Sequence, residues 1–114
     1  MGIRRLEKRE WHAFFDHLSK ALEAKQAHIE VAGLSLGNQV QADWLPLYGL
    51  VYDPKNEVAE IVLEGHDHLI HKPREIYVED EAGQWVGLEI IDADGVKQIV
   101  RLKEALMLPG PAQR

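Results

Sequence analysis

The chain has 114 residues, 46% hydrophobic and 28% charged, and its 13 Lys and Arg against 19 Asp and Glu give a net charge of −6. That length supports one core and one domain, while the acidic balance argues against binding a nucleic-acid backbone, which takes a surplus of cations on one face. With no cysteine there is no disulfide framework, thiolate site or Cys nucleophile, so a metal would have to rest on imidazole and carboxylate.

The opening MGIRRLEKREW is charged with no apolar segment behind it, and no apolar run approaches the roughly 20 residues that cross a bilayer. A cytoplasmic protein without membrane attachment is the expectation. Over residues 7–24, Trp11, Phe14, Phe15, Leu18 and Leu22 fall on one helical stripe. Lys8, His12, Asp16 and Lys20 line the opposite side, and no Ser, Thr, Asp or Asn stands at the start as a cap.

After Gln26 the period changes to two. Ala27, Ile29 and Val31 alternate with His28 and Glu30 in a strand running on through Leu34 and Leu36, with a bulge at Gly33. Gly37 and Asn38 predict a turn, and Val40, Ala42 and Trp44 a half-buried return strand that Pro46 ends or places at an edge. Residues 48–53 and 58–63 flank Asp53-Pro54-Lys55-Asn56 as a hairpin. Strands follow at 75–79, 85–92 and 96–102, the first two joined by a turn at 81–84 and the last two by a type I′ turn at Asp94-Gly95. Residues 109–114 carry two prolines and read as a frayed tail, leaving one domain over 1–108 with strands across 27–102. One helix and six to seven short antiparallel strands make an α+β fold, the helix packed on a curved sheet or a small SH3-like or Sm-like barrel.

The chemistry concentrates in EGHDHLIHKPREIYV, residues 64–78. His66, His68 and His71, with Asp67 or Glu64 as a further ligand or base, could hold zinc if they share a loop whose side chains converge. Their spacing resembles the HxHxDH motif of metallo-β-lactamase-type hydrolases, but Ile70 stands where that motif has its aspartate, and the chain is too short for that fold. A polar loop between two strands is the plainer reading, and it implies no cofactor.

No nucleophile assembles. Ser19 on the helix and Ser35 in a strand are the two serines, threonine is absent, and neither serine sits in a strained elbow. Asp92, Asp94 and Gly95 open like a calcium loop without its later acids, and no glycine-rich turn precedes a helix. Trp11 and Trp44 fall on inward phases and belong to the core. Trp85, out of phase with Val86, Leu88 and Ile90, falls on the outer face near Tyr77 as a candidate partner contact. Cross-strand pairing or packing beneath the helix is the plainer alternative for it.

The blocks HKPREIYVEDEAG, LEIIDADGVKQIVRL and EWHAFFDHLSKALE resemble a family of small bacterial proteins classed only as a domain of unknown function, over about residues 11–108. The resemblance implies a bacterial, cytoplasmic, single-domain protein and carries no catalytic residue with it. The expectation is therefore a non-enzymatic binding or accessory protein that meets an unknown protein partner or itself, with a zinc-binding protein or metal-dependent hydrolase as the competing reading.

Overall fold

The computed structural model describes residues 2–22, 25–33 and 37–107. Its strands are β1 (Gly2–Arg5), β2 (Gln26–Gly33), β3 (Gly37–Asp53), β4 (Val58–Leu63), β5 (His66–His71), β6 (Pro73–Glu81), β7 (Gln84–Asp92) and β8 (Lys97–Met107). The helix α1 (Trp11–Ala21) follows a 3₁₀ turn at Lys8–Glu10. Neighbouring strands are antiparallel throughout, in the order β1-β6-β7-β8-β2-β3-β4-β5.

The α+β expectation of a helix packed on an antiparallel sheet is met, but the described residues form eight strands and their sheet does not close into a barrel. The two edge strands are the ones that periodicity passes over. β1 has a single large apolar residue, Ile3, and β5 is mostly polar. The sheet is nonetheless strongly curled. In a flat sheet with strands about 4.8 Å apart, β5 and β8 would be separated by roughly 19 Å, yet His68 on β5 touches Gln98 on β8 at 2.7 Å.

One core fills the concavity. Trp11, Phe15 and Leu18 of α1, with Leu6 and Leu22 beside it, pack against Leu50, Tyr52, Ile61, Ile76, Trp85, Leu88 and Ile90. Trp11 meets Tyr52 edge-on, with ring centroids 5.1 Å apart. In place of a conventional cap, Glu10 Oε1 accepts the Glu7 N–H at 2.9 Å, the returning half of a capping box.

β3 runs through Pro46 instead of ending there. Residues up to Pro46 pair with β2, and from Leu47 onward the strand pairs with β4. Proline is tolerated because it sits where one partner is exchanged for the other, and its carbonyl accepts the Glu64 N–H. Past this point the edge of β3 that β2 has left is covered by α1. The Ser19 hydroxyl donates to the Leu50 carbonyl and accepts the Leu50 N–H, both at 2.8 Å, replacing the missing strand.

Two bulges overturn the expected side-chain phases. Between Ala27↔Leu45 and Ile29↔Ala42, Asp43 and Trp44 together oppose His28. Trp44, expected in the core, takes φ +57° and is 37% exposed, its ring 5.3 Å from that of His28. A second irregularity lies between Trp85 and Gly87 on β7. It lets Trp85 face inward together with Leu88 and Ile90, so Trp85 is wholly buried and the expected outer-face contact is corrected. A Cβ on Gly87 would lie 2.5 Å from the Val100 carbonyl, so only glycine admits β8 there.

Two of the expected turns differ in place or geometry, at 37–38 and at 92–96, and the one at 81–84 is where it is expected. Gly37 and Asn38 already belong to β3, which pairs Gly37 with Gly33. Between Glu81 and Gln84, Ala82 and Gly83 take φ +53° and +81°, the two left-handed residues of a type I′ hairpin. At 92–96, where type I′ geometry is expected, Gly95 alone is left-handed (φ +80°), and Asp92 Oδ1 accepts the N–H groups of Asp94 and Val96. The readings made for Leu34, Ser35, Leu36 and the 109–114 tail lie outside the described residues.

Candidate functional site

The histidine block is a strand, not a loop. Glu64 and Gly65 close a tight hairpin, Gly65 supplying φ +69°, and His66–His71 pairs with Leu63–Val58 without a register break. Alternation along β5 therefore decides where the imidazoles go. His66, His68 and the buried Ile70 face the concave side, and Asp67, Leu69 and His71 face outward. The His66 and His68 rings are neighbours, with centroids 6.4 Å apart, and His71 lies on the other face of the sheet. Among the described residues no three His, Asp or Glu side chains are grouped to hold a metal ion.

Each remaining candidate has an identifiable neighbour. His68 Nε2 donates to the side-chain oxygen of Gln98, the one buried polar side chain among the described residues, and thereby links β5 to β8 across the core. Glu64 accepts the Tyr48 hydroxyl at 2.8 Å, and that hydrogen bond with the carboxylate raises the Tyr48 pKa. Asp67 lies diagonally across from Glu60 on the outer face of β4. Hydrogen bonding with Asp67, then burial and the neighbouring charge, holds the Glu60 carboxyl above its ordinary range. Tyr77 is half-buried on the outer face of β6, where its hydroxyl donates to Glu75 at 2.6 Å, and it lines a hollow of about 320 Å³ that includes Ile3 and Lys97. Trp85 lies in the core and has no part in that face.

Sequence reasoning missed the edge itself. The Lys72 N–H donates to the Glu57 carbonyl at 2.7 Å, in the register that continues the β4–β5 ladder. In an antiparallel ladder the backbone groups of successive residues point to alternate sides. The N–H and C=O of His66, His68 and Ile70 therefore serve β4, and those of Asp67, Leu69 and His71 point to the side where the sheet ends among the described residues. Beside this open edge the outer face is apolar in part: Leu69 and Val51 are each 49% exposed, with Glu60 between them in the same cross-strand row. The opposite edge is shorter, because β1 has four residues and two of them are Arg4 and Arg5.

An open curled sheet, a capping helix and an unpaired edge strand make this a small α+β protein with a core but no assembled catalytic set among the described residues. The chain belongs to a family described as a family of unknown function (DUF5335), which matches residues 2–111. A relative from Aquifex aeolicus (strain VF5), itself described as an uncharacterized protein, is 44% identical over 110 residues, covering 96% of this chain and 99% of its own. No solved structure matches. No helix among the described residues is long and apolar enough to cross a membrane.

Proposed function

We propose that this is a bacterial, cytoplasmic interaction protein that performs no covalent chemistry and works through the free edge and outer face of β5. One observation carries the reading. The backbone groups of Asp67, Leu69 and His71 are directed away from β4, beside the exposed side chains of Leu69 and Val51. An unpaired edge with apolar neighbours favours another β-strand, which supplies main-chain hydrogen bonds and alternate side-chain contacts.

Replacing Leu69 by proline removes an N–H that β4 does not use, at an edge position where proline is tolerated. Leu69→Pro is therefore expected to fold with an unchanged circular dichroism spectrum and to lose association. If wild type and Leu69→Pro retain the same proteins from host extract and show the same oligomeric state, the β5 reading is wrong.

The competing zinc reading has His66 and His68 on one face in its favour and His71 on the other against it. A stoichiometric ion in untagged protein, lost in His66→Ala, would restore it.

A further inference from the structure

Resting on the interaction reading, we propose that the strand taken up by β5 is the β5 of a second copy of this chain. The two are joined about a two-fold axis at Leu69, so that Asp67 of each copy faces His71 of the other. A two-fold contact is self-complementary, residue i meeting j and j meeting i. An axis between two residues would set an outward-directed amide opposite one already bonded to β4, so the axis passes through a residue.

Side chains then choose among the residues of β5. An axis through His66 sets Asp67 against Gly65 of the turn, one through Asp67 opposes two carboxylates, and one through His68 sets Asp67 against Leu69. An axis through Ile70 sets Asp67 against Pro73, which has no N–H, and one through His71 does the same to Leu69. The axis through Leu69 alone pairs apolar with apolar and acid with imidazole, and each facing pair exchanges both of its hydrogen bonds. The cross-strand row Val51–Glu60–Leu69 then continues into Leu69–Glu60–Val51 of the second copy, covering the two half-exposed leucines.

Light scattering on size-exclusion fractions is expected to show a dimer that dissociates on dilution. Asp67→Lys and His71→Asp each break both symmetry-related pairs and are expected to raise the dimer dissociation constant roughly tenfold or more, and the double exchange to restore it. The chain has no cysteine, and facing Cα atoms in such a pair are about 5.5 Å apart, within disulfide reach. Oxidised Leu69→Cys is therefore expected to run as a cross-linked dimer on a non-reducing denaturing gel, and Ile3→Cys, at the other edge, to show no cross-link there.

A monomer at every concentration, or a dimer in which Leu69→Cys does not cross-link and the charge exchange restores nothing, overturns the proposal. Either result is distinct from failure of the interaction reading, because the Leu69→Pro comparison responds to any strand seated on that edge.

Discussion

His68 shows what one inward-facing imidazole does on a strand otherwise rich in polar residues. It satisfies the buried Gln98 amide, so His68→Ala leaves that group without its partner and is expected to cost about 1–3 kcal/mol in urea denaturation. Adding Gln98→Leu should recover part of the loss. A loss that appears only with metal present would contradict this role. Glu60 offers a test by pH. Its folded pKa is raised, so between the ordinary carboxylate value and the raised one the folded state binds more proton than the unfolded state. Its contribution is present at low pH and lost as pH rises through that window, and Glu60→Gln should flatten that part of the stability curve. The spacing of the histidines was legible in the sequence, but their directions were not. Leu69 and Ile70 are adjacent, so no alternation marked the segment as a strand. Trp85 was misplaced for a related reason: the irregularity before Gly87 changes the phase without altering composition.

At the scale of elements, the helix was the most legible part, because Trp11, Phe15 and Leu18 fall on one stripe and are all buried. What the stripe did not reveal is that α1 also finishes an edge of β3. Ser19→Ala leaves the part-buried N–H and C=O of Leu50 unbonded and is expected to destabilise by about 1–3 kcal/mol in thermal or urea melts. Ser19→Thr, which keeps the hydroxyl, should cost less. A turn and a strand position give predictions of opposite sign. Ala82 is held at φ +53°, a conformation costing a residue with a Cβ about 1–2 kcal/mol, so Ala82→Gly should raise the melting temperature. Gly87→Ala drives a methyl into the Val100 carbonyl and should destabilise by about 1–3 kcal/mol or more. The long β3 could not be read as one strand, because a proline inside a strand ordinarily marks its end, and the exchange of partners at Pro46 is a tertiary event.

At the scale of the molecule, the fold class was legible from one amphipathic stripe followed by alternating segments and turns, whereas the number of strands and the open ends were not. The two ends of the sheet differ. β1 is short and carries Arg4 and Arg5, devices that discourage further pairing, and β5 offers six residues with no Lys or Pro among them. The central claim is that β5 is bonded on one side and available on the other, and residue-resolved amide hydrogen exchange tests it most directly. The account predicts slow exchange at His66, His68 and Ile70 at every concentration. Asp67, Leu69 and His71 should exchange fast in dilute protein and become protected as concentration rises. Equal protection along β5 in dilute protein would contradict that claim, and fast exchange at Asp67, Leu69 and His71 at every concentration would contradict the pairing of two copies.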